Sequence, residues 1–392
     1  LQLLHPVGLG QPFAPLPGWR ATFSSAGHIL GAASVLLEVA GRRILFSGDL
    51  GRPDDMVMQA PDAPPQADTV LIESTYGGRT RIRLTARERQ DLLNRELAAG
   101  LAAGGNIIVP VFAVERTQEI LDDIADLKSR GALGPVTVFL DSPLAGRTTE
   151  VFRRHEAALG NDGNRFTPGD FRFTETVEQS KAIDRIHGGA IVLAGSGMCD
   201  AGRVKHHLKN HLWRPDSTVL FAGYQAPGTL GATIREGAAQ VRIHGEEVRV
   251  KARIRAIDAY SGHADRDELV EWVRPVLPTL GSLLAVHGEP QALTGIVNAL
   301  VEAGLAPERI AVPSLDQAYE FSYRDGRWIA ALSNAEAAPR LSVEEVTATR
   351  DWHNEYAQTL LDLRSALNRA TDNRVRRRLL REVRRVIDEA HR

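Results

Sequence analysis

Three short glycine-rich stretches each present a side chain that binds metal ions well: Ser25-Ala26-Gly27-His28, Ser47-Gly48-Asp49 and Val286-His287-Gly288-Glu289. Imidazole nitrogen and carboxylate oxygen are good ligands for zinc and related ions. Glycine neighbours let the backbone turn tightly, so that a short side chain can reach a shared centre. A single loop of this kind usually holds nothing more than a hydrogen-bonded side chain. Three of them, with two more polar loops at Glu73 and His263, point to a metal site. The chain contains no His-x-His pair and no Asp-His dipeptide, so the dense cluster that completes a two-metal centre is not among its motifs.

The elements that must position these loops follow two rhythms. Strands are expected at 21–23, 34–39 and 44–46, with His28 and Asp49 where they run into glycine-rich loops; a buried-type strand at 69–72 then leads into Glu73. From about Leu84 helices and apolar strands alternate: helices at 85–103, 114–129, 146–158 and 201–212, and strands at 106–111, 136–140, 190–194 and 218–221. That alternation predicts a parallel α/β sheet. After Tyr260 the first style returns, with a helix to Val273, a strand at 283–286, another helix and a final strand near Trp328. The pattern predicts one domain inserted in another: a core at 1–78 and 259–328, an insertion at 79–258, and a helical, arginine-rich extension at 329–392.

Composition narrows the setting. With 392 residues, 43% hydrophobic and 24% charged, the chain is an ordinary globular protein large enough for two domains. Its net charge of −2 excludes wholesale coating of a polyanion, so any nucleic-acid contact must come from a local basic patch. Cys199 is the sole cysteine; no intramolecular disulfide can form, which suits a cytoplasmic protein. No apolar run approaches the ~20 residues that span a bilayer, and no membrane partner is expected.

The order and wording of the loops resemble the β-CASP branch of the metallo-β-lactamase superfamily, a branch of RNA-processing nucleases. Ala26-Gly27-His28-Ile29-Leu30-Gly31 and Ser47-Gly48-Asp49-Leu50-Gly51-Arg52 resemble its third and fourth metal motifs. Glu73-Ser74-Thr75-Tyr76-Gly77, Ser261-Gly262-His263-Ala264-Asp265 and Val286-His287-Gly288-Glu289 resemble its motifs A, B and C. Arg116-Thr117-Gln118-Glu119 and Asp141-Ser142-Pro143-Leu144 extend the likeness into the insertion, and the whole runs from about residue 20 to about 325. The resemblance implies an αββα metallo-β-lactamase sandwich, N-terminally incomplete here, interrupted by a parallel α/β β-CASP domain.

It also implies roles. His28 and His287 would each bind one of two zinc ions and Asp49 would bridge them. His263 would contact the scissile phosphate and protonate the leaving oxygen, with Glu73 orienting it. A histidine in motif C accompanies the RNA-cleaving members, so RNA is the implied substrate, held in the cleft between the two domains. The family's His-x-His-x-Asp-His motif lies upstream of Ala-Gly-His; only 27 residues precede His28, none matches, and His5 in Leu-His-Pro is not expected to be a ligand. The expectation is therefore a piece of a longer zinc-dependent ribonuclease, weakly active by itself. The rivals are a catalytically dead RNA-binding or assembly subunit and a small-molecule metallohydrolase; the large insertion argues against the latter.

Further candidates concern phosphate. Ser196 and Gly197 join an apolar strand to a helix whose N–H groups could cradle an anion, and Arg203 and Arg116 are either backbone contacts or structural ion-pair partners. His206, His207 and His211 share that helix and read as a basic face, Cys199 as a small buried thiol, and 224–230 as architectural. In the extension, Trp352, Tyr356 and Leu360 form one apolar stripe and Val375, Leu379, Val383 and Ile387 another, with seven arginines between 374 and 385. The expected partner of those arginines is solvent or RNA, with homodimerisation through the same helix as the alternative.

Overall fold

The computed structural model describes residues 4–333 except 56, 82–83, 156–158 and 160–170, together with 363, 366–367, 370 and 372–390. Two six-stranded sheets organise the chain. In the first, β1 (Trp19–Ser25), β2 (Ala33–Val39) and β3 (Arg42–Phe46) form an antiparallel meander. Next to β3 lie β4 (Thr69–Glu73), β13 (Ser282–Val286) and β14 (Ile310–Ala311), all parallel to it. Thr69 pairs with Ser282 and Glu73 with Val286, so segments far apart in sequence end at the same sheet edge.

Between β4 and β13 the chain builds the second sheet in the order β12-β9-β5-β8-β6-β7, with every pairing parallel. Its strands are β5 (Ile107–Pro110), β6 (Thr137–Asp141), β7 (Phe171–Phe173), β8 (Ala190–Ala194), β9 (Thr218–Phe221) and β12 (Arg253–Ala256). The central runs Ile107-Ile108-Val109 and Ala190-Ile191-Val192-Leu193-Ala194 are buried along their whole length, as a parallel sheet covered on both faces requires. Ile107, Val109, Ile191 and Leu193 pack on helices α1 (Ala86–Ala102) and α2 (Arg116–Ser129). Their neighbours Ile108, Val192 and Ala194 pack on the other face with Val204 and Leu208 of α5 (Val204–His211) and Ile234 of α6 (Leu230–Arg235).

The expected α/β character and parallel sheet are present, and several boundaries move for local reasons. Helix α3 (Pro143–Arg154) starts three residues early because Ser142 accepts the Ala145 N–H and proline occupies the first turn. Helix α5 starts three residues late, because 195–204 closes a loop in which Ser196 N–H donates to Ala201 O and Val204 N–H to Gly195 O. Unforeseen are the short α4 (Val177–Ile183), α6, β7, the hairpin β10 (Gln240–Ile243) and β11 (Glu246–Arg249), and β12. Helix α7 (Arg266–Val273) precedes β13, and beyond β13 come α8 (Pro290–Glu302) and the hairpin β15 (Tyr319–Arg324)–β16 (Arg327–Leu332). A final helix, α9, spans Asn373–Ala390. The first sheet is one layer of the expected αββα sandwich, and a separate two-stranded sheet, β15–β16, meets its β4 and β13 strands. No helix among them is long and apolar enough to cross a membrane. The stripe of Trp352, Tyr356 and Leu360 lies outside the described residues.

Candidate metal centre

The C-terminal ends of β3, β4 and β13 open onto one edge, and each delivers one residue of interest. Asp49 lies three residues past β3, Glu73 is the last residue of β4, and His287 follows β13 directly with φ 54°. Two more loops close on that edge. His28 comes from the β1–β2 connection, and His263 stands just ahead of α7, whose first turn is fixed by Asp265. The Asp265 carboxylate accepts the N–H groups of Asp267 and Glu268, each at 3.0 Å, while Glu268 accepts the Asp265 N–H at 2.8 Å. Arg81 braces the same loop, donating to Ser261 O at 3.0 Å and to His263 O.

Backbone contacts stitch the loops together. Gly51 N–H donates to Ala26 O and Ala264 N–H to Leu50 O, both at 2.8 Å. Gly51 has no room for a side chain, since a Cβ there would fall 1.8 Å from Gly27 O. Gly51→Ala should therefore force the His28 and Asp49 loops apart, costing about 3 kcal/mol of stability, the upper end of the overpacking range. A denaturant midpoint equal to that of the parent would contradict this.

One ligand atom from each of His28, Asp49 and His263 lies within 4.8 Å of the others. The His28 and His263 rings are 4.2 Å apart, the His263 and His287 rings 6.5 Å, and His287 Nδ1 is 3.0 Å from Asp49 Oδ1. His28 Nδ1 is buried without a hydrogen-bond partner. Burial, aided by the neighbouring His263, holds the His28 pKa below its ordinary value, so the ring is neutral and its lone pair available near pH 7. An orphaned neutral imidazole nitrogen, a carboxylate and a second imidazole form a donor set that suits zinc with an open coordination position.

Glu73 is nearly fully buried and shared. It accepts Leu50 N–H at 2.8 Å, Thr75 N–H at 3.0 Å and His263 Nδ1 at 3.1 Å. Burial opposes its ionisation, but the hydrogen bonds from His263 and Thr75 outweigh burial and keep the carboxyl below its usual range. Its charge thus fixes the His263 ring and leaves Nε2 turned to other work. Tyr76, edge-on at 5.9 Å, walls the ring on another side; nothing in the sequence singled it out beyond its place in motif A.

The phosphate candidates are placed otherwise. Arg116 is buried, donates to Ala222 O at 2.7 Å and sits 4.0 Å from Glu115. Arg203 donates to Asp141 at 2.7 Å and to the carbonyls of Thr174 and Glu175. The Arg203 guanidinium is held by several protein acceptors, and that of Arg116 by Ala222 O and Glu115 with its Nε buried and without a partner, which favours the ion-pair alternative for each. Ser196 and Gly197 lie in the self-closed loop before α5, where Gly197 packs under the Phe112 ring and accepts from Gln225. His207 is buried against Asp141 at 2.6 Å and His211 against Ser217 at 3.2 Å, so two of that helix's three histidines are core residues.

Burial opposes ionisation of Asp141, yet its hydrogen bonds from His207, Ser180, Thr174 and Arg203 hold its carboxyl well below the usual carboxylate range. A folded pKa below the unfolded one contributes stability that is complete above the ordinary aspartate value, near ~3.9, and fades as pH falls beneath it. Asp141→Asn should cost about 3–5 kcal/mol at pH 7 by stranding Arg203, and the gap to the parent should begin to narrow as pH falls below about 4. Thermal melts of both proteins across pH 3–7 check this; a gap independent of pH would refute it.

Residues 117–234 match the Beta-Casp domain family, and residues 247–313, which contain His263 and His287, match the Zn-dependent metallo-hydrolase RNA specificity domain family. Ribonuclease TTHA0252 of Thermus thermophilus is 38% identical over 311 residues, 77% of this chain and 70% of its own length. The RNase J-like protein of Methanocaldococcus jannaschii is 31% identical over 273 residues, 68% of this chain and 63% of its own. Transcription termination factor FttA of Pyrococcus abyssi is 30% identical over 300 residues, 72% of this chain; there the match spans about half of the relative, 46%.

Proposed function

The chain belongs to the β-CASP branch of metallo-β-lactamase RNA nucleases, and from that premise we propose that it binds zinc at the His28–Asp49 centre and hydrolyses RNA phosphodiester bonds. The observation that carries this reading is the convergence of His28, Asp49 and His263, with the buried His28 nitrogen left without a partner. The names of the ribonuclease relatives and the match of 247–313 to an RNA specificity domain support RNA as the substrate. Residues 79–258 are taken as the β-CASP insertion and 1–78 with 259–328 as the hydrolase core, RNA lying between them.

In this reading His28, Asp49 and His287 hold metal, with Asp49 central because it is close both to His287, at 3.0 Å, and to the His28–His263 pair, within 4.8 Å. When bound, the ion supplies Lewis acidity, acidifying water and offsetting the charge of the scissile phosphate. The chain's own residues handle the proton. Glu73 fixes His263 through Nδ1, so Nε2 faces the cleft and can donate to the leaving ribose oxygen.

The 4.8 Å grouping favours a second reading, in which His263 is itself the third ligand of a single ion. Zinc content of His263→Ala separates the two: retained metal supports the acid, lost metal the ligand. Under either reading, His28, Asp49, His263 and His287 fall short of the roughly seven donors of a dinuclear site, so this chain should hold fewer than two zinc ions and turn over slowly.

A further inference from the structure

Helix α9 carries seven arginines, all between 374 and 385, against three acids, Glu382, Asp388 and Glu389, an excess of four positive charges in a chain whose net charge is −2. Successive helical residues turn by about 100°, which sorts these side chains by angle. Arg374, Arg377, Arg378, Arg381, Arg384 and Arg385 fall on a single face about 120° wide, with 374, 378, 381 and 385 running along it in line. Val375, Leu379, Leu380 and Val383 occupy the opposite side. Arg376, the one arginine off the charged face, turns back on the preceding chain, donating to Leu367 O and Ala370 O. Every arginine from 374 to 385 is exposed.

We propose that this six-arginine face is a binding surface for the sugar-phosphate backbone of RNA, separate from the metal centre; it rests on the reading that RNA is the substrate. The face and a phosphate backbone are complementary in charge. Like charges crowded on one helix face repel one another, and Glu382, 3.0 Å from Arg385, together with Asp388 and Glu389 at the far end of the helix, leaves the arginines in excess. A polyanion relieves that repulsion along the whole face, and guanidinium forks suit phosphate geometry better than any other side chain. Binding through phosphates alone is indifferent to sequence, so the helix would raise affinity for any strand and leave the choice of scissile bond to the centre. The helix lies beyond the segments that match the two families, which end at residue 313, so nothing in those matches assigns it a role.

The test compares the full chain with its Arg374→Gln/Arg378→Gln/Arg381→Gln variant, binding a fluorescent unstructured 20-nucleotide RNA in EDTA across a salt series. Neutralising three phosphate contacts should lower the slope of log K against log salt by about 2, at about 0.7 per contact on a single strand. The corresponding triple lysine variant should keep the parent slope, showing that charge and not helix structure is lost; circular dichroism should be unchanged in both. An equal slope in the glutamine variant overturns the proposal, the more so if light scattering shows that variant losing a dimer, which would make α9 an assembly helix. A parent chain that binds no RNA overturns the substrate reading itself, an outcome distinct from either.

Discussion

His263→Ala is expected to leave zinc in place while slowing single-turnover cleavage of RNA by ~10²–10⁴-fold, the range lost when a general acid is removed. The expectation comes from how the ring is held. Its Nδ1 is engaged by a carboxylate that burial isolates and hydrogen bonds keep ionised, which leaves one nitrogen for substrate. Glu73→Gln should act in the same direction by a smaller factor, since the amide oxygen can still accept from Nδ1 while its NH2 group replaces one of the two carboxylate oxygens that bind Leu50, Thr75 and His263. If His263→Ala loses zinc to the same extent as a ligand variant, His263 is a metal ligand and the proton must come from elsewhere.

Asp49→Ala is expected to remove the metal outright, weakening zinc affinity by more than ~100-fold, beyond the 10–100-fold typical of outer-shell changes. The Asp49 carboxylate is the sole acidic member of the cluster and contacts His287 at 3.0 Å. Its side chain is 42% exposed, so its removal opens no cavity, and stability without metal should change by less than about 1 kcal/mol. The comparison of metal content and unfolding midpoint therefore separates a ligand from a structural residue.

How much of this was legible in the sequence depends on the range of the interactions. Strands such as Ala190–Ala194 and Thr218–Phe221 announce themselves because a parallel strand buried on both faces must be continuously apolar. The loops of His28, Asp49 and His287 stand out because tight turns at strand ends need glycine. By contrast, β12 is an edge strand whose Arg253 and Arg255 bond to Ala99 O and Glu96 across the helix layer, so its four residues read as a polar loop. The fates of Arg116 and Arg203 were equally hidden, because their acceptors, Ala222 O and Asp141, are brought to them by the sheet and not by neighbouring sequence. The nearness of His263 to His28 is of the same kind: the Gly51 contacts with both loops create it.

The central claim is that these loops form a metal centre, and a zinc titration against a chromophoric chelator tests it most directly. The parent should take up one zinc per chain, with His28→Ala and Asp49→Ala each abolishing it while both proteins remain folded. A parent that takes up no zinc, or variants that bind it as well as the parent, would contradict the account.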